Sequence, residues 1–126
     1  MKVILVADDD KHIRALYEET LKIEGYKVIL AENGEQTLEI IKNIKIDLVI
    51  LDVRMPDING MEILTEINKN KSHPPVLVNT AYSGYIEDSR SWIAEGYIVK
   101  SSNTRELLKK IKEVLKKYDK ESKRGH

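Results

Sequence analysis

Cysteine is absent from the 126-residue chain. That excludes disulfides, thiol catalysis and cysteine-based metal sites, and it suits a reducing compartment. Net charge is absent as well, because 21 Lys+Arg balance 21 Asp+Glu. Direct nucleic-acid binding and attraction to an anionic membrane are therefore not expected of the domain as a whole. No apolar run approaches the roughly 18 residues of a membrane-spanning helix. The opening Met1-Lys2-Val3-Ile4-Leu5-Val6-Ala7 is too short for a secretion signal and runs straight into three aspartates. A cytoplasmic location is expected. Neither Gly-x-x-x-x-Gly-Lys nor Gly-x-Gly-x-x-Gly occurs, which removes the common nucleotide-binding signatures. His12, His73 and His126 lack ligand spacing. Trp92 is the single tryptophan and is expected to pack on a helix.

What is present is organised around Leu48-Val49-Ile50-Leu51-Asp52. A continuous apolar run suits a strand buried on both faces, as in a parallel sheet. Asp52 then stands at the strand's carboxyl end, the edge where open α/β sheets bind ligands.

Four more strands are expected, over Val3–Ala7, Tyr26–Ala31, Val76–Asn79 and Gly96–Val99. Between them lie helical patterns. Asp10 suits an N-cap before Ile13, Leu16, Tyr17, Thr20 and Leu21, and Gly25 a C-terminal stop. Asn33 with Gln36 has capping-box spacing before Thr37, Leu38, Ile41 and Ile44. Met61, Leu64 and Ile67 mark a helix broken by Pro74-Pro75. Ile86 to Ala94 reads as a weak helix. Asn103 and Glu106 open a last helix whose stripe is Leu107, Leu108, Ile111, Val114, Leu115 and Tyr118. Residues 1–119 are expected to form one domain, and 120–126 a polar, frayed tail. Five β-then-α units imply an α/β fold with a five-stranded parallel sheet, doubly wound as a (βα)5 three-layer sandwich.

Such a fold gathers the ends of strands one, three, four and five. Asp8, Asp9, Asp52, Thr80 and Lys100 would then share one edge. Carboxylates a few ångströms apart repel, so a proton or a cation must intervene. All-oxygen ligands favour a hard ion, and Mg2+ fits, since it keeps several of its waters. A carboxylate in that setting can act as a nucleophile toward phosphorus. The metal and Lys100 would offset the transferred charge, and Thr80 would donate a hydrogen bond.

At these residues the chain resembles the receiver domain of two-component response regulators. The resemblance covers Met1 to about Tyr118. It rests on Val6-Ala7-Asp8-Asp9-Asp10, on Leu51-Asp52-Val53-Arg54-Met55-Pro56-Asp57-Ile58-Asn59-Gly60, on Thr80-Ala81 and on Tyr97-Ile98-Val99-Lys100. It implies a flavodoxin-like fold. It implies that Asp52 accepts a phosphoryl group from a phosphohistidine of a sensor histidine kinase or histidine phosphotransfer protein. Asp9, Asp52 and the backbone carbonyl of Arg54 would ligate Mg2+, with Mn2+ a substitute, and Asp8 would act mainly through water. Thr80 and Lys100 would hold phosphoryl oxygens. Tyr97 would be an aromatic switch following Thr80. A changed surface or a phosphorelay would pass the signal to a downstream protein partner, from a monomer or a weak phosphorylation-dependent dimer. Arg54 and Tyr82 would tune water access.

Two departures from the family pattern touch the Lys100 loop. Ser101 follows Lys100 where the family usually has proline, so a trans peptide is expected there. The Ala94-Glu95-Gly96-Tyr97 approach is about two residues shorter than the common pattern.

Plainer readings stand beside these. Asp8-Asp9-Asp10 suits ordinary N-capping, Asp52 a strand-end turn, Thr80 a β-former, Lys100 a solvated charge and Tyr97 simple packing. The lysines from Lys109 to Lys123 are interleaved with acids and read as a solvated face. No output domain is expected beyond the last helix, and a stand-alone phospho-accepting domain is the expected form. Such a domain would catalyse its own phosphorylation and slow dephosphorylation without being a conventional turnover enzyme. The alternative is a binding module of the same fold that ignores phosphorylation. A haloacid-dehalogenase-type phosphohydrolase would use Asp8 and Asp10, but the Gly-Thr that usually follows is missing and there is no room for a cap.

Overall fold

The computed structural model describes residues 1–70, 72–80, 94–99 and 104–124. Its elements run β1 Val3–Ala7, α1 Lys11–Ile23, β2 Lys27–Ala31, α2 Gly34–Asn43, β3 Leu48–Leu51, α3 Gly60–Asn68, β4 Val76–Thr80, β5 Gly96–Val99 and α4 Arg105–Arg124. Residues 86–93 of the helix expected over Ile86–Ala94, with Trp92, and the Asn103 cap lie outside the described residues. The strands form one parallel sheet in the order β2-β1-β3-β4-β5.

Side chains alternate across a strand, and here both faces are apolar. Ile4, Val6, Leu48, Ile50 and Leu77 pack under Tyr17 and Leu21 of α1 and Leu107, Ile111 and Leu115 of α4. Leu5, Ala7, Val49, Leu51 and Val78 pack under Met61, Ile63 and Leu64 of α3, with Leu38 and Ile41 of α2 alongside. This double burial is why the strands read as unbroken hydrophobic runs. The chain reverses its winding between β1 and β3, which opens a crevice at their carboxyl ends.

Local chemistry sets the boundaries. Asp10 caps α1 by accepting from the amides of His12 and Ile13 at 2.8 and 3.4 Å. Gly25 ends it at φ 92°. The Gly25 amide donates to Lys22 and the Tyr26 amide to Leu21, a Schellman closure that needs a left-handed residue. Two expected core positions are corrected. Leu16 is 37% exposed, because the buried stripe of α1 narrows to Tyr17 and Leu21. Ile44 is 43% exposed, because α2 stops at Asn43 and Ile44 is an extended cap. The last helix continues to Arg124, into the segment expected to fray, where Lys and Glu are good helix formers.

Candidate metal centre

Ala7 and Leu51, the last residues of β1 and β3, are register partners. The residues that follow them, Asp8 and Asp52, therefore leave neighbouring strand ends at the same level. The Asp52 amide donates to the Ala7 carbonyl at 2.9 Å, and the Asp8 amide to the Ala31 carbonyl at 3.0 Å. Asp8 and Asp52 are buried, at 2% and 4% exposure. Asp9 is exposed. One carboxylate oxygen from each of the three lies within 4.8 Å of the others.

The three consecutive aspartates divide the work. Asp10 caps α1, so the plain capping reading holds for that one residue. Asp8 also accepts from the Asp10 amide at 2.9 Å, which orients its carboxylate. With Asp10 occupied at the helix end, the Asp8/Asp10 pairing that a dehalogenase-type hydrolase would need is not the pair that converges with Asp52. Arg14, which sequence reasoning missed, donates from Nη1 to the Asp8 carbonyl at 2.6 Å, while its Nη2 lies 3.8 Å from Glu32. The signal was available, since a cation in the first turn opposes the helix dipole and needs a reason to be there.

Beyond Asp52 the chain is pinned at several points. Asp52 Oδ1 accepts from the Arg54 amide at 3.2 Å, which fixes the backbone that carries the Arg54 carbonyl. Asn59 caps α3 through the Met61 amide at 2.8 Å. The Gly60 amide donates to the Val53 carbonyl at 2.8 Å. Asp57 reaches across to α2, accepting from the amides of Gly34 at 2.8 Å and Glu35 at 3.0 Å. Asn33 takes the Gln36 amide. The expected capping box is displaced by one residue, because Gln36 bonds the Glu32 amide. Between them Asp57 and Asn33 satisfy the N–H groups of Gly34, Glu35 and Gln36 that the first turn of α2 leaves open.

Desolvation pushes the Asp57 carboxyl up, but the amides of Gly34, Glu35 and Ile58 together hold it below its ordinary value of 3.8. A depressed folded-state value gives stability that is present above the unfolded value and lost as pH falls through the folded one. Asp57→Ala is expected to cost about 1 kcal/mol at neutral pH as a lost helix cap. The gap from the parent should close below about pH 3–4, as read by urea denaturation across pH.

Thr80 closes β4, paired with Val99. Lys100, Ser101 and Tyr82 lie outside the described residues. Tyr97 pairs with Val78 and is half-buried against the α2–α3 side of the core. Sequence reasoning also missed Asn79, which is 1% exposed and donates from Nδ2 to the Tyr17 hydroxyl at 2.6 Å. Its Oδ1 is buried without a hydrogen-bond partner among the described residues. One register step past Leu51↔Val78, Asn79 sits on the strand beside Asp52. A polar residue in a strand's apolar run was the visible clue.

The donor set suits a hard divalent ion. Three carboxylates converge, two of them buried, and like charges so placed call for a cation. Oxygen ligands from few protein groups match the habit of Mg2+.

A family model described as response regulator receiver domain matches residues 4–112. Among solved structures, the response regulator TrrA of Thermotoga maritima in complex with Mg(2+)-BeF is 47% identical. It covers 90% of this chain and 99% of that one, with a TM-score of 0.87. The complex of the histidine kinase ThkA with TrrA matches at 48% identity, covering 91% of this chain and 99% of that one, with a TM-score of 0.85. Among curated proteins, the transcriptional regulatory protein CpxR of Escherichia coli is 35% identical over 93% of this chain and 50% of its own length. The probable transcriptional regulator ycf27 of Porphyridium aerugineum is 39% identical over 94% and 50%. The chain thus spans about half the length of the curated relatives it matches.

Proposed function

Because this chain belongs to the response regulator receiver domain family, we propose that Asp52 accepts a phosphoryl group from a phosphohistidine on a partner histidine kinase or histidine phosphotransfer protein. The observation that carries the reading is the convergence of Asp8, Asp9 and Asp52 within 4.8 Å at the β1/β3 crevice. Asp9, Asp52 and the Arg54 carbonyl would hold Mg2+, or Mn2+ in its place, with Asp8 acting through water. The ion supplies charge compensation that lets an anionic donor approach a carboxylate.

In the reaction, a carboxylate oxygen of Asp52 forms a bond to phosphorus as the phosphorus–nitrogen bond of the donor breaks. The bonding pair returns to the imidazole nitrogen. Thr80 donates a hydrogen bond to a phosphoryl oxygen, and the Lys100 ammonium offsets its charge. Tyr97 follows Thr80 and changes the surface read by a downstream protein, or the phosphoryl group passes onward in a relay. Water later hydrolyses the acyl phosphate, with Arg54 and Tyr82 setting its access. The protein works in the cytoplasm as a monomer or weak phosphorylation-dependent dimer. TrrA, solved in complex with Mg(2+)-BeF and in complex with the histidine kinase ThkA, supports this reading.

Intact-mass measurement after exposure to a small phosphodonor and Mg2+ tests it. The parent protein is expected to gain one phosphoryl group, and folded Asp52→Asn none. Equal modification of both proteins would overturn the assignment. Partner binding that is unchanged by donor would leave the phosphorylation-independent binding module as the function.

A further inference from the structure

On the face away from α1 and α4, the exposed ridge between α2 and α3 is hollowed. Two adjoining depressions of about 360 and 450 Å3 share Leu38, Ile58 and Glu66. Their floor is aliphatic, made of Leu38 and Ile41 from α2 and Ile58 from the loop that Asp57 pins. Their walls are acidic. Glu35 and Glu39 stand one turn apart on α2, and Glu62 and Glu66 one turn apart on α3. All four are exposed. Glu66 pairs with Lys69 at 2.6 Å, and Glu39 accepts from Asn43 at 2.9 Å. Among the described residues lining the groove, Lys42 is the one cation.

Glu35 and Glu62 sit in first turns, where the helix dipole favours acids, but each repels the glutamate one turn on, so both walls keep a like-charge repulsion. A cationic occupant would relieve it. The sign also selects the occupant. Nucleic acid, an anionic membrane and an acidic peptide are all repelled. A second copy of this chain offers lysines on α4, but the apolar stripe of α4 is buried in its own core, so that helix has no apolar stripe to set on the Leu38–Ile58 floor. An aliphatic floor between two acidic rails matches a helix with apolar residues at i, i+3, i+4 and i+7 and cations on both flanks.

We propose that the α2–α3 groove docks a basic amphipathic helix of a partner protein, with its apolar stripe on Leu38, Ile41 and Ile58 and its Lys or Arg flanks against Glu35, Glu39, Glu62 and Glu66. The surface belongs to neither the metal centre nor the reaction proposed for it.

The test uses the full chain, unphosphorylated and without Mg2+, so its result is independent of the chemistry at Asp52. The probe is a fluorescein-labelled helical peptide of leucine and lysine in that pattern, with a glutamate-for-lysine peptide as control. Anisotropy should show saturable binding of the lysine peptide that weakens with salt, and no binding of the control. The methyl resonances of Leu38, Ile41 and Ile58 should shift. Neutralising the rails (E35Q/E39Q/E62Q/E66Q) should weaken binding by at least roughly tenfold. Leu38→Asp, a second variant in a different part of the groove, should weaken it as well. Binding that survives both variants, maps to another face, or is matched by the control peptide overturns the proposal. Phosphorylation of the variants by a small donor is expected to equal that of the parent.

Discussion

Gly60→Ala is expected to unfold the protein at a temperature lower by about 10 °C, corresponding to a loss of about 3 kcal/mol. A Cβ at position 60 would stand 2.2 Å from the Val53 Cα and 2.8 Å from the Asp52 carbonyl oxygen. These neighbours are backbone, so no side chain can swing aside. The first turn of α3 would have to move off the Asp52–Val53 segment, breaking the Gly60–Val53 hydrogen bond and displacing the carboxylate that starts the loop. Phosphorylation should fall along with stability. Gly25→Ala is the matched control. Nothing lies within 4 Å of a Cβ there, and the cost is only that of φ 92°, about 1 kcal/mol. Thermal denaturation with intact-mass phosphorylation of the two variants checks this. Equal losses in both would refute the close-approach argument.

The second large effect concerns charge. At 4.8 Å and an effective dielectric near 20, two carboxylates repel by roughly 3 kcal/mol, less where Asp9 faces solvent. Asp52→Asn in metal-free protein is therefore expected to be more stable than the parent by about 1–2 kcal/mol, after the altered hydrogen bond to Arg54 is allowed for. Saturating Mg2+ should reverse the order. The parent gains about 2.7 kcal/mol at a hundred times the dissociation constant, and Asp52→Asn gains much less. Urea titrations with and without Mg2+ read both signs. A parent protein indifferent to Mg2+ would show that the cluster is not a cation site.

Much of this was legible in the sequence for a local reason. Val3–Ala7 and Leu48–Leu51 are apolar at every position, and only a sheet covered on both faces buries both sides of such a strand. Asp10, Gly25 and Asn33 act within a few residues of themselves, through caps and turns that depend on the neighbouring chain alone. The order of β-then-α units, with the handedness of crossovers, leaves few parallel topologies. That is enough to put Asp8 and Asp52 on one edge.

What the chain pattern left open were meetings between residues far apart. Asp57 caps a helix 23 residues earlier in the chain, and nothing near Asp57 names its partner. Asn79 finds Tyr17 across 62 residues, because the register of β4 and the rotation of α1 bring them together. Leu16 and Ile44 look like core by spacing, yet Leu16 lies outside the narrow buried stripe of α1 and Ile44 lies past the end of α2. Periodicity tells a residue which side of its own element it is on. Only packing tells it what stands opposite.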